Sequence, residues 1–310
     1  MLPFILKRLV TSLVVIWVII TATFLLMKLC PGGPFDRERS VPKEIEANIR
    51  ARYGFDLPLW RQYLNYVGPL LHGDLGPSYR YQGQSVTGLI ADKFPRSAVI
   101  GLLSILLSIC VGVPAGVFCS VRQNRWGDRT TMLITIVGVS VPSFVLATLL
   151  QYVAAVRLGV FNAAGLSHWY DAILPALSLS VYSLAFITRL TRSSFLDVLR
   201  DDWVRTAYAK GLAPLRVLVG HVLRNAILPV VTYLGPLAAG VLTGSLVVEK
   251  IFSIPGLGES FVTSVFNRDY TLILGVTIFY STLLVALNFL VDVAYVWLDP
   301  RISFDGGERR

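Results

Sequence analysis

The sequence predicts an all-α, polytopic membrane protein with six transmembrane helices and both termini in the cytoplasm. Three observations carry that expectation. Hydrophobic residues make up 54% of the 310-residue chain and charged residues only 15%, against about 25% charged in an ordinary soluble domain. Apolar runs long enough to cross a hydrocarbon core of about 30 Å recur along the chain, and its mean hydropathy is +0.64. Lys and Arg gather on alternate connections between those runs. Helices are the expected state of each run, because an open single span offers lipid no backbone partner outside itself.

The runs fall near residues 9–29, 97–119, 130–156, 172–188, 226–248 and 272–298. The first follows Lys7 and Arg8. It is too long for the apolar core of a signal peptide and no small-x-small cleavage site follows it, so residues 1–29 are expected to stay as the first span. Residues 30–94 are expected outside the cytoplasm. They hold the cluster Pro31-Gly32-Gly33-Pro34, a helical stretch with Ile45, Ile49 and Tyr53 on one face, and a turn over His72-Gly73-Asp74-Leu75-Gly76. The third and fourth runs flank a short loop with Asn162, Gly165, His168 and Asp171. The fifth contains Pro229, Gly235, Pro236, Gly240 and Gly244. Pro bends a helix and Gly lets a neighbour approach closely. Simple helix packing and a bent, pore-lining helix that changes shape both fit that composition. Residues 299–310 form a short tail.

Orientation follows from the cations. With the N-terminus inside, the cytoplasmic segments hold 15 Lys and Arg, and the short outer loops hold 3: Arg157, Lys250 and Arg268. The other 10 lie on the long segment from Lys28 to Arg96, and long loops barely weigh in this rule. The formal net charge of +9 is therefore read as topology rather than as affinity for nucleic acid. Cys30, Cys110 and Cys119 show no metal-ligand spacing, and packing explains them.

The most informative stretch is the basic cytoplasmic connection at 189–225. Asp202 through Leu212 reads as an amphipathic helix, Ala213-Pro214 follows, and a second short helix runs to Arg224. Gly211 suits a helix C-terminus and Pro214 the start of the next helix. Trp203, Ala207, Tyr208 and Gly211 recur at helical spacing, where small residues would let another protein approach the backbone. Arg205 and Lys210 could pair with its acids. A basic amphipathic helix lying on anionic lipid fits the same residues.

This stretch resembles the cytoplasmic loop of ABC-importer permeases, a Glu-Ala-Ala, three residues, Gly pattern, here Arg205-Thr206-Ala207 and Gly211. Of that family's later Ile-x-Leu-Pro only Leu223 matches, within His221-Val222-Leu223-Arg224. Pro31-Gly32-Gly33-Pro34, Tyr53-Gly54, His72 to Gly76, Pro255-Gly256-Leu257-Gly258 and Asp299-Pro300-Arg301 resemble the dipeptide/oligopeptide/nickel permeases. Together they look most like the B-type membrane subunit of oligopeptide permeases.

The resemblance implies the type I ABC-importer transmembrane fold, with its core at 95–298 and an ATPase-coupling loop at 189–225. Trp203, Arg205, Thr206, Ala207, Lys210, Gly211 and Leu212 would carry the coupling. It implies half of a peptide translocation pore in a bacterial cytoplasmic (inner) membrane. The implied partners are a homologous second permease, two cytoplasmic ATP-binding subunits and an extracytoplasmic peptide-binding protein, with no nucleic acid. The chain lacks a Gly-x-x-x-x-Gly-Lys-Ser/Thr loop, so no cofactor is expected on it, and ATP and Mg would belong to the ATPases.

Other positions are candidates for a pore or gate. Asp292 lies inside the last apolar run with Asn288 one turn before it. An intramembrane carboxylate is costly and often functional, and a structural carboxylate paired with an Arg near the cytoplasmic end fits equally. Ser140 and Ser143 could line a polar path, as could Ser178, Ser180, Ser183 and Thr188, or they could pack helices. Glu249 with the Pro255–Gly258 turn reads as a gate, a docking surface or a re-entrant turn. No His-Glu-x-x-His or Gly-x-Ser-x-Gly motif points to catalysis. An ion-gradient transporter would show internal repeats and midplane carboxylates; Asp292 is the one candidate acid and no repeat is evident. The relatives of this family also carry dipeptides, nickel chelates, glutathione or peptide-like antibiotics.

Overall fold

The computed structural model describes residues 2–29, 56–81 and 83–298. The Pro31–Pro34 cluster, the expected helix through Ile45, Ile49 and Tyr53, Tyr53-Gly54, Asp299-Pro300-Arg301 and the 299–310 tail lie outside these residues.

Among the described residues the chain is helical, with one isolated β-bridge between Pro77 and Ser85. Helix α1 is Leu2–Leu29 and α2 is Leu59–Leu70. Helix α3 runs Val86–Val121 and α4 Trp126–Ser140. Helix α5, Ser143–Leu150, continues as a π-helical stretch, Gln151–Arg157. A short 3-10 turn leads into α6, Ile173–Leu199. Helices α7 (Asp202–Ala209) and α8 (Pro214–Val217) form the basic connection, and a π turn and α9 (Leu223–Ala226) complete it. Then come α10 (Leu228–Leu242), α11 (Leu246–Ile251), α12 (Leu257–Asn267) and α13 (Tyr270–Leu298).

Among the described residues five helical stretches are long and apolar enough to cross a membrane, and the bent pair α4–α5 passes the same test when its two helices are taken together. The expected third run is thus two helices meeting at 98°. Pro142 explains the break: it disfavours helix at Val141, which turns to extended backbone, and α5 restarts after it. The second span is longer than its apolar run. Ser85 caps it by accepting from the Gly88 N–H at 3.0 Å, so helix begins well inside the segment expected to be a separate outer piece. The fifth span breaks at Gly244, whose φ is +91°.

Helices α3 and α6 make the most extensive contact in the fold. Ser104, Ser108, Gly112, Gly116 and Ser120 recur every fourth residue on α3 and are all buried. A side chain at Gly116 would lie 2.7 Å from the Thr188 carbonyl and 2.5 Å from Thr191 Cβ. At Gly112 it would meet the Leu184 carbonyl at 3.1 Å. The backbones therefore touch, and Ser108 Oγ donates across to the Ser180 carbonyl at 3.3 Å. In lipid, where apolar surface alone does not drive helices together, such close packing supplies the association.

The basic end of this pair is held by an ion pair. Arg192 donates from Nε and a terminal nitrogen to the two oxygens of Asp128, both at 2.7 Å, and the Asn124 N–H adds a third bond at 2.9 Å. Asp128 is buried and fully engaged, fixing the start of α4 on the end of α6. At the outer end the carboxylate of Asp269 opens α13 by accepting from Leu272 N–H. The same carboxylate accepts from Ser78, Tyr79 and Arg80, which anchors the 77–81 loop. Helix α1 stands at the edge, with its Arg8 bound to Asp292 of α13 at 2.9 Å.

Two outcomes follow from these contacts. Gly116→Leu should destabilise the chain by about 1–3 kcal/mol through overpacking, whereas Gly68→Ala, inside α2 with open space around it, should raise stability by about 0.5–1 kcal/mol. Thermal unfolding in detergent reads both. Arg192→Leu strands the buried Asp128 and should cost about 3–5 kcal/mol, seen as lower membrane abundance and an earlier melting transition.

Candidate functional site

The basic connection folds back on itself as a two-helix knuckle. Asp201 has extended backbone and α7 starts at Asp202, whose acid suits the positive end of a helix. At the other end the Gly211 N–H donates to the Tyr208 carbonyl at 2.9 Å and the Leu212 N–H to Ala207 at 3.3 Å. Gly211 has φ +77°, the left-handed conformation that closes a helix and favours glycine. Pro214 then opens α8 at its first position. The expected helix, break and helix are all present, with an added π turn at Leu218–Val222.

The knuckle has a core. Val204, Val217, Val222 and Ala226 bury themselves against Phe195 of α6, with Val117 of α3, Val198, Leu199, Ala207 and Leu212 packed around them. Val204 of α7 thus shares one buried cluster with residues of α6 and α3. Several side chains stay exposed: Trp203 at 39%, Tyr208 at 40%, Leu215 at 73% and Val219 at 56%. Arg205 lies 3.7 Å from Asp202, both of them exposed. Thr206 Oγ1 donates to its own helix at the Asp202 carbonyl, and Trp203 Nε1 to Asp201. Lys210 ends the helix, exposed.

Ala207 is half-buried and packs against the knuckle core with Leu212, about one helical turn from Val204. Trp203, Arg205, Thr206, Lys210 and Gly211 remain outside.

The remaining candidates have separate partners rather than one shared pocket. Ser140 Oγ donates back to the Ile136 carbonyl at 2.8 Å, and Ser143 begins α5, so the two flank the Pro142 bend. Asn288 lies against Gly235 of α10, where a side chain would meet its Oδ1 at 2.6 Å. Asp292 holds Arg8 of α1. Glu249, 2% exposed, sits at the outer side in the hairpin made by α11 and α12. It accepts from Ser97 Oγ of α3 at 2.7 Å and from the Glu259 N–H at 2.9 Å. Among the described residues no group of three or more His, Cys, Asp or Glu is placed to hold a metal ion.

Sequence reading missed Ser97 and the Asp128–Arg192 pair. Signals for both existed. Asp128 is the lone acid among Arg122, Arg125 and Arg129, and Ser97 opens the apolar part of α3, in line with the small residues that follow.

Comparison with known proteins completes the description. Residues 112–304 match the family described as "Binding-protein-dependent transport system inner membrane component", and residues 1–101 match its N-terminal companion. The chain is similar to the dipeptide transport system permease protein DppB of Bacillus subtilis, 44% identical over 97% of each chain. It is similar to the oligopeptide transport system permease protein OppB of Haemophilus influenzae, 43% identical over 98% of this chain and 100% of that relative. OppB of Escherichia coli K12 is 42% identical over the same shares. A solved structure of the MetNI methionine ABC transporter in inward-facing conformations superposes with a TM-score of 0.52 and 20% identity, over 66% of this chain and 92% of that one. That last likeness speaks for the fold.

Replacing Gly211 tests the knuckle turn. With nothing within 4 Å of an added side chain, the cost is conformational. Gly211→Val should destabilise by about 1–2 kcal/mol and Gly211→Asn by less, in that order in thermal melts.

Proposed function

We propose a function from one premise: this chain belongs to the family of binding-protein-dependent transport system inner membrane components. It is a multi-pass permease subunit of an ATP-driven importer of peptides. Oligopeptides are the main substrate class, with dipeptides next, in line with the names of its relatives. The membrane is the bacterial cytoplasmic membrane. A second, similar permease forms the other half of the pore, two cytoplasmic ATPases dock on the basic side, and an extracytoplasmic binding protein delivers the peptide. ATP and Mg are held by the ATPases.

The observation that carries this reading is the knuckle. It leaves Trp203, Tyr208, Leu215 and Val219 exposed, with the cations Arg205 and Lys210 in the same segment. Exposed aromatic and aliphatic residues of that kind mark protein contacts. The buried cluster ties the segment to α3 and α6. A docked ATPase that moves on binding ATP therefore moves those helices with it. The energy available to shift the pore is the difference in affinity of the ATPases for its two states. Peptides share a backbone and differ in side chains, so selection falls to the binding protein rather than to a tight site on this chain.

The test is uptake of a labelled peptide series into vesicles carrying the complete importer. Expected is ATP-dependent uptake that vanadate stops and a protonophore does not. The reverse sensitivity would establish a gradient-driven carrier instead. Leu215→Glu with Trp203→Glu should lower ATPase docking and uptake by about tenfold or more while the chain still inserts. Uptake at the parent rate in that double variant would sink the docking assignment.

A further inference from the structure

Glu249 is a buried acid, 2% exposed, and transport as derived so far gives it no task. Helix α12 starts at Leu257 after Gly256, which offers no capping side chain. The first N–H groups of a helix lack internal partners. Here residues from elsewhere supply them. Ser97 Oγ of α3 accepts from the Leu257 N–H at 2.9 Å. The Glu249 carboxylate accepts from the Glu259 N–H at 2.9 Å. Ser97 donates its own proton to Glu249, closing the circuit. A negative charge at a helix N-terminus is also favoured by the helix dipole.

The glycines of the hairpin pack closely against the carboxylate. A side chain at Gly256 would sit 2.3 Å from the carboxylate carbon, and one at Gly244 would lie 2.2 Å from Oε1. Beside this circuit the outer end of α3 makes two more bonds to the same hairpin. Lys93 Nζ donates to Ser260 Oγ at 2.7 Å, and Arg96 donates to the Pro255 carbonyl at 3.3 Å. On the hairpin's other flank Gln151 donates to the Ile251 carbonyl at 2.7 Å. Tyr280 of α13 donates to the Thr243 carbonyl at the helix break.

We propose that Glu249 is a positioning residue that pins the outer α11–α12 hairpin to α3, so that hairpin, α3 and cytoplasmic knuckle move as one body. The inference rests on the permease function above and adds where the outer gate is driven from. A carboxylate buried with its donors Ser97 and Glu259 does not give them up cheaply, so the hairpin is not an independent flap. Because Val117 near the inner end of α3 packs on the knuckle core, displacement of the knuckle appears at the hairpin. Acceptor-only chemistry matters here: Gln would turn an NH2 group toward N–H donors.

The test joins the two parts covalently. In a chain with Cys30, Cys110 and Cys119 replaced by Ala, Arg96→Cys and Pro255→Cys are bridged by a short bifunctional thiol reagent, within the complete importer in vesicles. Expected is unchanged ATP-driven uptake after bridging. Glu249→Gln without the bridge should lose uptake about tenfold while ATP hydrolysis continues, and the bridge should restore it. Loss of uptake on bridging the otherwise unchanged chain overturns the proposal, as does parental uptake by Glu249→Gln or failure of the bridge to rescue it. A parent importer that moves no peptide would instead sink the permease function. Amide exchange at Leu257, Gly258 and Glu259 in the purified chain reads the pin without transport. Exchange should quicken about tenfold in Glu249→Gln, and unchanged exchange overturns the proposal.

Discussion

The contact on which the fold depends is the backbone-to-backbone seam between α3 and α6. Five small residues at four-residue spacing, Ser104 to Ser120, leave no side chain thick enough to hold the helices apart. In water a Leu-rich face would do this work by shedding solvent. In a bilayer, lipid tails are as apolar as Leu, so contact area and carbonyl-directed hydroxyls decide which helices meet. The seam makes two long helices into one stiff unit. At its basic end the Asp128–Arg192 bonds lock α4 to it, and the knuckle core grows directly from it through Val117 and Phe195.

A transporter built around such a unit has few places where it can yield. The interruptions are the 98° bend at Pro142 and the left-handed Gly244 in the fifth span. Both sit next to irregular structure, the π-helical stretch after α5 and the hairpin after α10. Non-helical backbone within a membrane protein is tolerated where protein shields it, and here Gln151, Ser97, Glu249 and Tyr280 satisfy the exposed groups. Close packing in the seam and interruption at its margins belong together: the long paired helices run unbroken, and the spans around them bend.

Much of this was legible in advance. Apolar length marked every span, the cation bias set the orientation, and Gly211 with Pro214 marked the knuckle, because each of these signals is local. What escaped was tertiary. The bend at Pro142 lies within an unbroken apolar run, so hydropathy sees one helix where the backbone makes two. Glu249 stood out as a charge beside a turn, but nothing nearby in sequence shows that its partner Ser97 lies 152 residues earlier.

The ion pair between Arg8 and Asp292 has a consequence for how the protein is made. Its two halves are 284 residues apart in the chain. At about 5–20 residues per second, Arg8 is synthesised roughly 15–60 s before its partner. Helix α1 must therefore wait in the bilayer without its closing neighbour. It is suited to that interval: it carries the most apolar window of the candidate spans, and only 6% of that window is buried in the finished protein. Biogenesis then ends where it began, with the last helix drawing the first one in from the lipid.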